Sequence, residues 1–141
     1  MRYIKSCGFV VFKRIDNANY YLLIQSVNGD VGFPKGHMES GENEIQTAHR
    51  ELKEETNVEV LLQDGFRIQI EYKMPNVNDA IKQSVYYLGK CIKDDIVVQE
   101  KEVKEASFIS FEKAIELLTF NETKEILKQA EDFINKQIYK C

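Results

Sequence analysis

Cysteine and proline are scarce in this chain, three and two among 141 residues. Cys7, Cys91 and Cys141 are odd in number and match no zinc or Cys-x-x-Cys spacing. That argues against a disulfide framework and for a reduced, cytoplasmic setting. There is no Gly/Ser tract, repeat or low-complexity run to mark a linker, so residues 1–141 read as a single domain. Long apolar runs are also missing. Stretches such as Gly8 to Phe12 and Tyr20 to Ile24 fall far short of the roughly 20 residues a membrane helix needs. A strand pattern begins almost at the first residue, so no leader segment is expected. No basic surplus exists either: the formal net charge is −4. The broad cationic face that nucleic-acid binding needs is therefore not expected, although a few local cations or a metal can still serve a small phosphate ligand.

What is present is a globular balance, 43% hydrophobic and 30% charged. Residues 3–14 read as a strand whose centre, Gly8-Phe9-Val10-Val11-Phe12, is too continuously apolar for a half-exposed edge. Residues 15–18 form a turn and 19–27 a second strand, making a hairpin. Asn28-Gly29-Asp30 is a further turn. Strands are expected at 58–62, 66–74 and 82–91, separated by Asp64-Gly65 and Pro75-Asn76, with a last strand at 103–110. Helices are expected near 43–56, 111–118 and 122–137. In the last of these, Ile126, Leu127, Ala130 and Phe133 would face inward. This order predicts an α+β fold or an α/β sandwich around a mixed sheet.

The helix at 43–56 carries the chemistry. Asn43 and Gln46 stand at capping-box spacing, and Asn57 suits a left-handed end. At about 100° per residue, Ile45, Ala48 and Leu52 form an apolar stripe, with Glu51, Glu54 and Glu55 in a neighbouring sector. Like charges at i,i+3 and i,i+4 repel. Three carboxylates beside a buried face call for a cation, and oxygen-only donors favour Mg²⁺, with Mn²⁺ as an alternative. Arg50 can hold a carboxylate in a bidentate fork. Taken alone, Glu-Leu-Lys-Glu-Glu is also ordinary solvated helix surface.

The surrounding residues change that reading. The chain runs Gly36, five residues, Glu42, seven residues, Arg50-Glu51-Leu52, one residue, Glu54-Glu55, one residue, Asn57-Val58. This resembles the signature of the Nudix hydrolase family, with asparagine at position 57 where the family has glycine. At average residue usage, chance agreement at the other positions is on the order of one in a million. The resemblance implies an α/β/α sandwich with a central mixed sheet and a loop–helix–loop holding the site. It implies that Glu51, Glu54 and Glu55 bind metal, one of them serving instead as base, with Arg50 orienting them and Glu42 bracing the cluster. The backbone carbonyl of Lys35 is implied as a further metal ligand. Asparagine tolerates positive φ, so the loop should survive the change at Asn57.

A narrower resemblance covers nearly the whole chain. Ser6 to Phe12, Tyr21 to Gln25, Phe33-Pro34-Lys35-Gly36-His37, Gly65-Phe66-Arg67 and Val85-Tyr86-Tyr87 are similar to asymmetric bis(5′-nucleosyl)-tetraphosphate hydrolases, which split diadenosine tetraphosphate into ATP and AMP. It implies a further catalytic and metal-binding glutamate at Glu102, with Glu100 and Glu105 as neighbours that could take that place. Lys35 and Lys82 become phosphate-binding cations, with His37 close by. Tyr72 and Phe120 become aromatics that stack on adenine. Read without the resemblance, Tyr72 and Phe120 are core aromatics, Lys82 is a solvated strand lysine, His49 is structural and Cys7 is a small buried residue.

Three functions remain open. The first is hydrolysis of diadenosine tetraphosphate. The second is hydrolysis of another substrate: a damaged nucleotide, a nucleotide sugar or an RNA 5′ end. The third is a non-catalytic nucleotide-sensing module, which could dispense with the carboxylates. No membrane partner is expected, and no nucleic acid beyond such an RNA end. Oligomeric state, base preference and the phosphorus attacked stay open.

Overall fold

The first strand shows why its centre is apolar throughout. The computed structural model describes residues 2–73 and 80–138. Strand β1 (Arg2–Ile15) runs through the sheet interior, between helices on both sides. Cys7, Phe9 and Val11 face one cluster, which includes Ala48 and Leu52 of helix α1 (Glu44–Thr56). Val10 and Phe12 face the other, which includes Ala114 of α2 (Phe111–Leu117) and Ile126, Leu127, Ala130 and Ile134 of α3 (Asn121–Ile138). A strand covered on both faces has no polar side to alternate with. The result is the expected α/β/α sandwich.

Among the described residues the sheet has seven strands. Its main path is β3 (Val31–Gly32), β2 (Ala18–Ser26), β1, β6 (Ala80–Lys93) and β5 (Glu59–Lys73). In addition, β4 (Lys35–His37) pairs with β1 and β7 (Val103–Ser110) pairs with β2. The β1–β6 pair is parallel and the others are antiparallel, so the sheet is mixed.

One irregularity of the sheet positions the site. β1 pairs with β2 only from Phe12↔Tyr21 to Ile15↔Ala18, and nearer its start, at Ser6 to Gly8, it pairs with β4. β2 meanwhile continues beside β7 to Ser26. The sheet therefore divides on the N-terminal side of Phe12, leaving a cleft with β2 and β7 on one side and β5 and β6 on the other.

Several local expectations are refined. The turn after β1 needs only Asp16 and Asn17, at φ 50° and 65°, the double positive φ of a tight hairpin turn. The two strands expected at 58–62 and 66–74 are one strand, β5. Asp64-Gly65 does not end it but sits in an irregularity between Gln63 and Arg67, with Gly65 at φ 94°. Residue 74 and the Pro75-Asn76 break lie outside the described residues, as does Cys141. The short strands β3 and β4 were not expected, since two- and three-residue pairings carry no readable period. In α3, Ile134 takes the buried place, and Phe133 is half-buried against Phe66, ring centroids 5.6 Å apart. Among the described residues no helix is long and apolar enough to cross a membrane.

Candidate active site

Helix α1 begins and ends as its sequence requires. The Asn43 side chain accepts from the Gln46 amide (2.8 Å), and the Gln46 side chain accepts from the Asn43 amide (2.9 Å). Two amides that the first turn leaves without partners are thereby satisfied. At the other end Asn57 adopts φ 65° and its amide donates to the Lys53 carbonyl. Between these caps, Ala48 and Leu52 are buried on the sheet, while Ile45 is half-buried and lies outside the apolar cluster.

The three helix glutamates differ in environment. Glu54 is exposed, Glu51 half-buried and Glu55 only 5% exposed. Burial, and then the charges of Glu51, Glu102 and Glu54, push the Glu55 carboxyl up to about 8, although the Lys35 amide donates to its Oε1 (3.1 Å). Burial first, with Glu54 and Glu102, raises Glu51 as well, opposed by Arg50. The Glu51 carboxylate lies directly against Gly36, where a Cβ would overlap it. The signature glycine thus leaves the space this carboxylate fills.

Arg50 is the hub of the loop. Its guanidinium donates to Glu42 twice (2.6 and 3.0 Å), to Glu51 (2.9 Å), to Glu54 (3.1 Å) and to the His37 carbonyl (2.9 Å). Glu42 also accepts from the Thr47 hydroxyl and the Glu39 amide, and with Arg50 foremost these partners hold it at about 2. One planar cation therefore spans the strand, the loop and the helix, which a lysine could not do.

Lys35 and Lys82 meet Glu55 and Glu102 in one cavity of about 540 Å³, lined also by Tyr72 and Phe120. Tyr72 and Phe120 are 44% and 53% exposed, so the reading of both as core aromatics is corrected. They stand in the cleft mouth because β5 is at the sheet edge and Phe120 precedes α3 rather than lying within it. Lys82 is paired in register with Tyr72 across β5 and β6. The Lys35 ammonium donates to Ser84 Oγ (3.1 Å); burial and then the nearby Lys82 lower it to about 8, against Glu55. Of the three candidate glutamates beyond the signature, Glu102 lines the cavity and Glu100 and Glu105 do not.

Other expected residues stand apart. His37 is exposed and outside the cavity lining, and its carbonyl serves Arg50. His49 packs edge-on against Phe9, centroids 4.8 Å apart, and burial lowers its pKa. Cys7 is fully buried, and burial pushes its thiol up to about 11. Ser84 was not singled out in the sequence; it follows Lys82 and Gln83 in β6, where one more small polar residue carries no distinctive signal. Ile70 and Tyr86 also line the cavity; an isoleucine and a tyrosine within strands carry no functional signal by residue type alone.

The donor set suits a hard divalent cation. It is made of oxygens, and Glu51 and Glu55 carry repulsion that a cation would relieve. Among the described residues no three carboxylates already stand together as a metal-binding group, and Arg50 engages Glu51 and Glu54. A cation would compete with that guanidinium for them.

Comparison with known proteins agrees with this geometry. The family model described as NUDIX domain matches residues 7–130. The asymmetrical bis(5′-nucleosyl)-tetraphosphatase of Rattus norvegicus is 30% identical over 146 residues, covering 93% of this chain and 95% of the relative. The enzyme of the same name from Caenorhabditis elegans is 26% identical over 136 residues, covering 93% and 96%. The crystal structure of a C. elegans Ap4A hydrolase binary complex superposes with a TM-score of 0.85 at 25% identity, over 94% of this chain and 98% of that one. Signature, sandwich and relatives agree, and the chain belongs to the Nudix family of hydrolases.

Proposed function

We propose that this hydrolase acts on dinucleoside tetraphosphates, splitting diadenosine tetraphosphate asymmetrically into ATP and AMP with the help of a divalent cation. Hydrolysis of a nucleoside polyphosphate is the activity of the family to which it belongs. The finer reading rests on one observation: a single cavity holds two exposed aromatics, two lysines and the carboxylates Glu55 and Glu102. Aromatic faces suit nucleobases, ammonium groups suit a phosphate chain, and carboxylates suit a cation and a proton. The names of the relatives support the same substrate class.

In this reading Tyr72 and Phe120 bind adenine by stacking. Lys35, steadied by Ser84, and Lys82 neutralise and orient the phosphates. Glu51, Glu54, Glu55 and Glu102, with the Lys35 carbonyl, would hold Mg²⁺ or Mn²⁺. Once bound, such an ion supplies Lewis-acid stabilisation of the phosphoryl oxygens and eases deprotonation of water. Water attacks one phosphorus, the anhydride P–O bond breaks, and a carboxylate of the cluster takes the water proton. Arg50 keeps Glu51 and Glu54 in place, and Glu42 keeps Arg50 in place. The free thiols of Cys7 and Cys91 support residence in the cytoplasm, and residues 1–141 are proposed to act as one unit.

The test is chromatography of products after incubation of the purified protein with diadenosine tetraphosphate and Mg²⁺, with a chelator control. Equal ATP and AMP, lost with chelator, is the expected result. Pyrophosphate or monophosphate from other nucleotides, with the tetraphosphate left intact, would replace the substrate. Inactivity across a nucleotide panel would favour a sensing role.

A further inference from the structure

The segment 94–102, between β6 and β7, ends on Glu102 and is fastened to the far end of helix α1. The Val97 amide donates to the Thr56 carbonyl (3.0 Å) and the Gln99 amide to the Glu55 carbonyl (3.1 Å). These are carbonyls of the last turn, which a helix leaves without internal partners. A third bond comes from a side chain: Asn57 Nδ2 donates to the Asp95 carbonyl (2.9 Å). The Gln99 carbonyl in turn accepts from the Glu102 and Val103 amides (3.1 and 2.9 Å). A short chain of hydrogen bonds therefore links the helix end to the residue that brings a carboxylate into the cavity. Further tethers are a Lys13–Asp94 ion pair (3.1 Å), the Val27 amide on the Glu102 carbonyl (3.1 Å), and Ile96 packed on the α1-side cluster.

Asn57 is the one place where this chain departs from the signature. Glycine there satisfies the left-handed backbone but has no side chain to offer. Asparagine holds φ at 65° and adds a donor aimed at the loop. We propose that Asn57 is a positioning residue: its side-chain amide ties the 94–102 loop to the signature helix and thereby sets where Glu102 stands relative to Glu51 and Glu55. The inference rests on the reading of Glu102 as a participant in the reaction. Glu102 and Glu55 line the same cavity, which supports it.

The test is Asn57→Gly. Glycine accepts positive φ more readily than asparagine, so the helix end and the fold are retained while the tether is lost. Two measurements are made on the full chain. Amide hydrogen exchange at Val97 and Gln99, in the metal-free protein, should accelerate roughly three- to tenfold, the worth of one modest hydrogen bond. Exchange in the centre of α1 should not change. Turnover is then read in a double-mutant cycle with Glu102→Gln. Asn57→Gly alone should lower kcat by a similar factor with little effect on KM, and should add nothing once Glu102 has been replaced. Unchanged exchange at Val97 and Gln99 would overturn the tether. Accelerated exchange with fully additive effects on kcat would overturn the positioning of Glu102. Full activity of Glu102→Gln by itself would remove that glutamate from the reaction and the positioning role with it, while the exchange data would still report the tether independently.

Discussion

At the residue scale, burial separates glutamates that look equivalent on a helical wheel. Glu54 faces solvent and Glu55 sits on the sheet side of the same turn, 5% exposed. The burial of Glu55 has a consequence for stability. Its carboxyl is raised from 4.5 to about 8 in the folded chain. Between those limits the metal-free folded state holds a proton that the unfolded state has released. Stability from this group is therefore intact below about 4.5 and is lost as pH rises towards about 8. Glu55→Gln removes the loss. Thermal unfolding in chelator should show the variant gaining on the parent as pH rises from 5 to 8, and an equal difference at both ends would contradict this. Turnover of the same variant in Mg²⁺ should fall by roughly a hundredfold or more, as expected for removal of a carboxylate from the reacting cluster; near-normal activity would remove Glu55 from the metal site. Gly36→Ala is a complementary probe. The new Cβ would displace the flexible Glu51 carboxylate rather than the backbone. Unfolding should change little, while kcat/KM should drop by about ten- to a hundredfold, the usual effect of disturbing a ligand's support.

At the scale of elements, α1 is held at its start by local chemistry and along its length by tertiary contacts. The capping box contributes about 1 kcal/mol, so Asn43→Ala should lower unfolding stability in urea by about that amount. Activity per folded molecule should persist, because the glutamates proposed to act in the reaction lie in the last two turns. A stability loss near zero would show that the tertiary contacts alone hold the first turn. Those contacts are substantial: Glu44 accepts from Lys5 (2.9 Å), Tyr87 (2.6 Å) and twice from Arg67 (3.0 and 2.9 Å). Arg67 reaches Glu44 from just beyond the irregularity in β5, where Gln63 and Arg67 pair with neighbouring residues of β6. Helix α3 has a comparable anchor. Glu131 accepts from the Tyr21 hydroxyl (2.6 Å) and the Asn19 amide (2.9 Å), both on β2. Glu131→Ala would strand the buried Tyr21 hydroxyl, while Asn19 keeps Asn135 as acceptor, at a cost of about 1–3 kcal/mol. Urea denaturation should register the loss without a change in KM, since this network is remote from the cavity; a shift in KM instead would tie α3's seating to the substrate site.

At the scale of the whole molecule, the division of the sheet decides how distant parts of the chain share one cavity. Lys35, Tyr72, Lys82, Glu102 and Phe120 come from five separate segments. Tyr72→Ala and Phe120→Ala, singly and together, should raise KM for diadenosine tetraphosphate, each by roughly fivefold to a hundredfold given about 1–3 kcal/mol per base stacked on an aromatic ring. Both side chains are exposed, so thermal unfolding should hardly move. Unchanged KM in the double variant would take both aromatics out of base recognition.

Sequence by itself determined the local features. The capping box at Asn43 and Gln46, the left-handed Asn57, the buried centre of β1 and the signature spacing follow from spacing along the chain and the conformational limits of single residues. Those are properties of neighbours in sequence, and no distant contact is needed to read them. Tertiary structure decided the rest. An aromatic looks the same in sequence whether it fills a core or lines a cleft, so without the family resemblance Tyr72 and Phe120 read as core, and the sheet edge places them in the mouth of the cavity. A serine within a strand carries no message until Lys35, separated from it along the chain, reaches Ser84. Glu102 was one of three nearby acids until the loop's bonds to α1 aimed it inward. Burial, cavity formation and long-range hydrogen bonds depend on which surfaces the fold brings together, and periodicity along one element does not contain that information.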